Sequence, residues 1–245
     1  MMASSESHPM AAMTKLPAIL ARLDDGLDAS LDRLSAWLEI PSIGTDPAFN
    51  AQTRAAAEWL RADLEGLGFK AEVRSTPGRP MVVAHYTPRE APANIPHLLF
   101  YGHYDVQPVD PISLWNSDPF SLTRVLAANG EEHLVARGSS DDKGQLLTFL
   151  EACKALRAIT GGLPINVTFC LEGEEESGGK SLPPFLASAR DELDADIALV
   201  CDTDLYDAET PSITTMLRGL VLEEVTIKAA DRDLHSGLYG GAAVN

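Results

Sequence analysis

The stretch L-L-F-Y-G-H-Y-D-V-Q-P, residues 98–108, joins a short apolar run to a histidine and an aspartate. The run is typical of a buried strand, and His103 and Asp105 follow it directly. Open α/β sheets hold their active sites in loops at the carboxyl ends of the strands. A carboxylate often orients a zinc-binding imidazole through its other nitrogen. Taken alone, the H-x-D pattern favours a structural histidine with a nearby aspartate.

A second loop, A-R-G-S-S-D-D-K-G-Q at residues 136–145, lies between a predicted strand and a predicted helix. Asp141 and Asp142 are adjacent carboxylates in this glycine-flanked turn. Aspartate is preferred at helix N-caps, so capping is the simpler explanation of this pair when it is considered by itself.

Two more predicted strands end in acidic residues. The stretch F-C-L-E-G-E-E-E-S-G-G-K-S, residues 169–181, has three consecutive glutamates after an apolar run, and Asp202 follows the run in residues 197–204. A charge run is ordinarily a solvated face, but this one lies between a buried strand and two glycines. The stretch also resembles the phosphate-binding pattern G-x-x-x-x-G-K-[ST], yet it has one residue too many and its glutamates would repel phosphate. Four such strand ends in one sheet predict a site for a metal that binds carboxylate and imidazole.

Apolar strands alternate with helical patterns, which predicts an α/β fold: a mostly parallel sheet with helices on both faces. Apolar residues at spacings of three and four predict one amphipathic helix from Leu16 to Leu38. The other helices are expected at residues 51–67, 144–159 and 182–189. The strands are expected at residues 69–75, 81–86, 97–101, 133–136, 165–171, 197–201 and 221–229.

Composition excludes several classes of protein. The formal net charge of −17 makes nucleic acid a poor partner, since like charges repel. Residues 1–14 lack the apolar run of a signal peptide, and no stretch approaches the roughly 20 apolar residues of a membrane span.

The cysteines are odd in number and form no C-x-x-C pair, so we expect reduced residues in a cytoplasmic protein. They are Cys153, Cys170 and Cys201.

Four motifs together resemble one family of dinuclear zinc hydrolases. They are G-H-Y-D-V-Q-P (102–108), R-G-S-S-D-D-K-G (137–144), E-G-E-E-E-S-G-G (172–179) and D-L-H-S-G-L-Y-G-G (233–241). The family includes aminoacylase, carboxypeptidase G, succinyl-diaminopimelate desuccinylase and the carnosinase-type dipeptidases, and the sequence is most similar to the last branch. The resemblance implies a dipeptidase with two divalent metal ions, zinc or alternatively manganese or cobalt, that acts on small peptides as a homodimer.

The resemblance also implies the metal ligands. His103 and Asp202 would bind one metal, Glu176 would bind the other, and Asp141 would bridge the two. It further implies a cis peptide bond between Asp141 and Asp142.

Three residues have implied roles in the reaction. Asp105 would orient His103, Glu175 would be the general base, and His235 would reach the active site of the partner subunit and stabilise the oxyanion. There are two alternatives: the protein deacylates N-acyl amino acids, or it is a relative without catalytic activity. An intact Glu175 argues against the latter, because a pure metal binder has no use for a base.

The resemblance also predicts the domain organisation. We expect a flexible N-terminus at residues 1–14, a catalytic domain at 15–217 and the beginning of a lid and dimerisation domain at 218–245. The family needs a further histidine for the second metal and an arginine for the substrate carboxylate, both expected after residue 245. This sequence is therefore expected to be an N-terminal fragment that is inactive by itself. Its histidines are His8, His85, His97, His103, His133 and His235.

Overall fold

The computed structural model describes residues 15–89, 94–128, 130–207, 210, 212–228, 230 and 232–242. The helices are α1 (Leu16–Asp25), α2 (Leu27–Leu38), α3 (Asn50–Gly66), α4 (Lys143–Thr160), α5 (Leu182–Ser188) and α6 (Ser236–Tyr239). The strands are β1 (Lys70–Arg74), β2 (Met81–Tyr86), β3 (His97–His103), β4 (Thr123–Leu126), β5 (Glu132–Val135), β6 (Asn166–Glu172) and β7 (Ile197–Val200). Short 3-10 helices cover Pro47–Phe49, Ile112–Leu114 and Glu175–Ser177.

A five-stranded sheet in the order β1-β2-β6-β3-β7 forms the centre of the fold. Strands β6, β3 and β7 run parallel, whereas β1 and β2 add antiparallel strands on the β6 side. Because β3 lies between β6 and β7, the carboxyl ends of three parallel strands meet at one edge. The predicted α/β fold is confirmed, and its parallel part contains the strands that precede His103, the glutamates at 174–176 and Asp202. The expectation of four strand ends in one sheet is wrong for the loop that carries Asp141, because it follows β5, which pairs with β4 in a separate antiparallel ribbon.

Helices cover both faces of the sheet. On one face, α2, α3 and α4 enclose the main core, in which Trp37, Leu60 and Phe169 are fully buried. Each such side chain contributes about 1.5–3 kcal/mol through removal from water. On the other face, Leu182 and Phe185 of α5 pack against a smaller cluster of buried residues.

The first predicted helix is divided into two. Gly26 separates α1 from α2, and its N–H donates to the carbonyl of Leu23 at 3.1 Å. A Cβ at this position would lie 3.1 Å from the carbonyl oxygen of Arg22, so a larger residue would be crowded at the junction. Apolar spacing continues across the glycine, which explains why the pattern alone predicted one helix.

The chain divides into two units, one ending at Thr203 and the other beginning at Asp204. The predicted strand at residues 221–229 is wrong for residues 221–228, which form no regular structure; Ala229 lies outside the described residues. Apolar side chains alternate here with polar ones, but Leu222, Val225 and Ile227 are exposed. A strand requires a hydrogen-bonding neighbour, and no ladder among the described residues includes this segment.

Strand β4 was not predicted from the sequence. It pairs with β5 in a separate antiparallel ribbon, and its four residues are largely exposed. Where the chain is described, no helix is long and apolar enough to cross a membrane.

Candidate metal centre

Strand pairing brings two of the predicted ligands together. In the parallel β3–β7 ladder, Tyr101 is the partner of Val200. His103 and Asp202 lie two residues beyond this pair, so they leave the sheet next to each other. Asp141 reaches the same place from the turn before α4. The structure therefore gathers side chains from three distant parts of the sequence at one edge of the sheet.

The three side chains are close enough to share one ion. His103 Nε2 lies 2.9 Å from Asp141 Oδ1 and 3.5 Å from Asp202 Oδ2. One ligand atom from each residue lies within 4.8 Å of the other two. Yet Nε2 is buried and has no partner with hydrogen-bond geometry. An unsatisfied nitrogen that faces two carboxylates fits a divalent metal, which accepts this mixture of ligands.

The tautomer of His103 suits metal binding. Its Nδ1 lies 3.0 Å from the main-chain carbonyl oxygen of Asp105. A carbonyl only accepts, so Nδ1 donates, and in the neutral ring the lone pair is on Nε2. The carboxylate of Asp105 is slightly farther from Nδ1, at 3.4 Å.

Negative charge is concentrated around this histidine. Burial lowers the pKa of His103, but Asp105, Asp142 and Asp141 outweigh that effect and raise it to about 10. Burial also raises the pKa of Glu175. A bound cation would compete with the proton on His103 and would neutralise the carboxylates.

The two glutamates with implied roles lie in the 3-10 helix that follows β6. The N–H of Glu175 donates to Asp105 Oδ1 and the N–H of Glu176 donates to Asp105 Oδ2, each at 3.2 Å. The carboxylate of Glu176 accepts a hydrogen bond from Gln107 Nε2 at 2.5 Å. Glu176 is not part of the three-residue group formed by His103, Asp141 and Asp202.

The turn before α4 has the geometry that the resemblance implied. The peptide bond between Asp141 and Asp142 is cis. Asp142 is buried, and its Oδ2 accepts a hydrogen bond from the main-chain N–H of His103 at 3.0 Å. A Cβ on Gly102 would come within 2.8 Å of that oxygen. The two aspartates therefore have different contacts. Asp141 faces the candidate site, whereas Asp142 connects the turn to the end of β3 by a hydrogen bond.

His235 lies in the second unit, where its exposed ring accepts a hydrogen bond from the N–H of Gly237 at 3.1 Å. Its implied role stays a prediction.

Sequence reasoning missed several residues around the site. Gln107 lies inside the H-Y-D-V-Q-P motif, four residues after His103, and this position was an available signal. Lys143 follows the two aspartates and is fully buried. Tyr101 donates to Glu172 Oε1 at 2.5 Å, and Glu172 Oε2 is buried with no hydrogen-bond partner. Those contacts depend on tertiary packing and have no signature in sequence.

Comparison with known proteins agrees with this geometry. Residues 99–235 match Peptidase family M20/M25/M40, and the chain belongs to that family. Membership implies binding of a divalent metal. The Cys-Gly metallodipeptidase dug1 of Schizosaccharomyces pombe is 29% identical over 231 residues, which are 89% of this chain and 47% of the relative. The Beta-Ala-His dipeptidase of Rattus norvegicus is 30% identical over 243 residues, 92% of this chain and 47% of the relative.

A solved structure supports the same assignment. The crystal structure of human carnosine dipeptidase 1 superposes with a TM-score of 0.71 at 27% identity, covering 78% of this chain and 42% of that one. The chain spans about half the length of the curated relatives it matches.

Proposed function

We propose that this protein acts in metal-dependent hydrolysis of dipeptides. The observation that carries the proposal is the buried Nε2 of His103, which makes no hydrogen bond and faces the carboxylates of Asp141 and Asp202. The relatives are named as a Cys-Gly metallodipeptidase and a Beta-Ala-His dipeptidase. Both names describe cleavage of an amide bond in a small peptide.

Residues of this chain would hold two divalent ions. His103, Asp141 and Asp202 form the first set of ligands, and Asp141 and Glu176 contribute to the second. Zinc fits this mixture best, and manganese or cobalt also bind such ligands. When bound, the metal lowers the pKa of a water molecule and polarises the scissile carbonyl.

Glu175 is the proposed general base. Burial raises its pKa, and Asp202, Asp105 and Asp141 add to that effect, whereas His103 opposes it. A raised pKa makes the carboxylate a better proton acceptor near neutral pH. Glu175 takes the proton of the attacking water and delivers it to the leaving amine.

His235 is proposed to stabilise the oxyanion in the active site of a partner subunit, which requires a homodimer. Its support is the D-L-H-S-G motif, because the family match extends to residue 235. A cytoplasmic location is also proposed. Its support is that the described cysteines, Cys153, Cys170 and Cys201, are all free.

The test is hydrolysis of Cys-Gly and β-Ala-His by the purified full-length protein with added zinc, manganese or cobalt. Metal-dependent cleavage that is lost in Glu175→Gln and kept in Glu39→Gln, an exposed carboxylate on the first unit, supports the proposal. Cleavage of N-acyl amino acids without cleavage of either dipeptide would contradict it.

A further inference from the structure

We infer that the side chain of Asp105 is a positioning residue for Glu175 and Glu176. Its carboxylate holds the backbone of both glutamates and so fixes their distance from His103. The inference rests on the proposed function of Glu175 and deepens it, because it assigns to Asp105 a task separate from orienting the imidazole.

Both oxygens of this carboxylate accept hydrogen bonds from the backbone of Glu175 and Glu176. Oδ1 accepts from the N–H of Glu175 and Oδ2 accepts from the N–H of Glu176, each at 3.2 Å. These N–H groups begin the 3-10 helix Glu175–Ser177, where no preceding helical turn supplies an acceptor. Hydrogen bonds to an ionised acceptor are stronger than neutral ones. Asp105 is fully buried, so water does not replace them.

The orientation of the imidazole depends less on this carboxylate than on the main chain, although the charge of Asp105 raises the pKa of the ring. His103 Nδ1 makes its hydrogen bond with the carbonyl oxygen of Asp105 at 3.0 Å, whereas Oδ1 is 3.4 Å away. A substitution of the side chain leaves the carbonyl in place. A substitution of Asp105 can therefore remove the hydrogen bonds to the N–H groups of Glu175 and Glu176, while the ring of His103 keeps its hydrogen bond to the Asp105 carbonyl.

The neighbouring loop leaves space for this arrangement. A Cβ on Gly44 would lie 2.1 Å from Asp105 Oδ2. Gly44 itself is fixed by its N–H bond to the carbonyl of Val106 at 3.3 Å and by Arg79, whose Nη2 donates to the Gly44 carbonyl at 3.0 Å. Alanine at this position would push the carboxylate away from the glutamates without changing any ionisable group.

Two substitutions test whether the Asp105 carboxylate holds the backbone of the two glutamates. Asp105→Asn keeps the shape but has only one acceptor oxygen, and its NH₂ group faces a backbone donor. Gly44→Ala displaces the unchanged carboxylate. In either variant, hydrogen exchange of the Glu175 and Glu176 amides should accelerate about 10-fold to 100-fold, the effect of losing a hydrogen bond to a charged group. Asp118→Asn is the matched control, since Asp118 accepts from the N–H of Phe120 at 2.9 Å in an exposed loop.

The experiment measures amide exchange by NMR in the metal-free protein, and then zinc affinity and turnover. We expect faster exchange at residues 175 and 176 in both variants, a lower kcat with little change in KM, and zinc binding retained at the ligand group that contains His103. Unchanged exchange in whichever variant folds would overturn the inference, even if Glu175→Gln is inactive. Full activity of Glu175→Gln would instead overturn the proposed function, and the exchange result would still stand.

Discussion

Lys143 is completely buried, and its Nζ donates to the main-chain carbonyl of Trp37 at 2.9 Å. A second hydrogen bond reaches the carbonyl of Ile40 at 2.8 Å. Both carbonyls lie at or just beyond the end of α2, where helical acceptors lack partners within the helix. Lys143 begins α4 directly after the two aspartates, so it joins the metal-site turn to α2.

The first prediction concerns this lysine. Lys143→Met should lower the free energy of unfolding by about 1–3 kcal/mol, because two hydrogen bonds of the buried side chain are lost. The carbonyls of Trp37 and Ile40 would then keep only their backbone donors, the N–H groups of Ile40 and Ser42. Urea unfolding followed by tryptophan fluorescence measures the change, since Nζ lies 5.5 Å from the ring centre of Trp37. Lys180→Met, at an exposed position, is the control. A variant as stable as the unchanged protein would show that the backbone donors alone satisfy the two carbonyls.

A second prediction links metal binding to protons. Burial opposes protonation of His103, but the surrounding carboxylates raise its pKa to about 10, so the metal-free ring is charged at pH 8. Zinc must displace that proton, and its affinity should therefore rise about tenfold per pH unit below pH 10. Calorimetry in buffers of different ionisation enthalpy should detect release of close to one proton.

His103→Asn should abolish the proton release, whereas His85→Asn, at a histidine outside the site, should leave it unchanged. Heats that do not depend on the buffer would mean that His103 is already neutral in the metal-free protein.

The third prediction separates base from ligand. In the full-length protein, Glu175→Gln should reduce turnover by about 10²–10⁴-fold, the usual contribution of a general base, with metal content unchanged. Glu176→Gln should reduce metal content as well, because it removes a proposed ligand of the second ion. Metal analysis of the purified variants beside kinetics measures both effects, and the neighbouring Glu174→Gln serves as the control. Equal metal loss in the first two variants would refute the division of roles.

The fourth prediction concerns acid stability. Arg74 donates to both oxygens of Glu192, with both N–O distances at 2.6 Å, and together with His85 it lowers the pKa of Glu192 from 4.5 to about 2. The stabilisation is complete above pH 4.5 and is lost as the pH falls from 4.5 through 2. The pair is partly exposed, so its contribution is about 0.5–1 kcal/mol after solvent screening.

Arg74→Met should therefore lower stability at pH 6 and have little further effect near pH 2. Urea unfolding at both pH values measures this difference, with Arg54→Met, in an exposed helical pair, as the comparison. An equal loss at both pH values would indicate that Arg74 stabilises through packing of its side chain.

Sequence reasoning succeeded where a local pattern determines the structure. Apolar runs gave the strands of the central sheet, and acidic residues directly after them indicated where the site lies. Gly26 was missed because a single glycine is often tolerated inside a helical pattern. The prediction of a strand at residues 221–228 was wrong because an alternation of apolar and polar residues forms a strand only when a neighbouring strand is present. The bonds from Glu175 and Glu176 to Asp105 depend on two loops meeting in space, so no local pattern encodes them.

The position of β3 between β6 and β7 has a consequence for folding. His103, Asp141 and Asp202 come from segments far apart in the chain, and they meet only when the parallel ladders have their native register. An ion held by all three, as proposed, would act as a removable cross-link among these segments. Because it would bind the folded arrangement in preference to the unfolded chain, it would stabilise the sheet by mass action. Availability of metal in the surroundings would thus be one of the determinants of how long the folded chain persists.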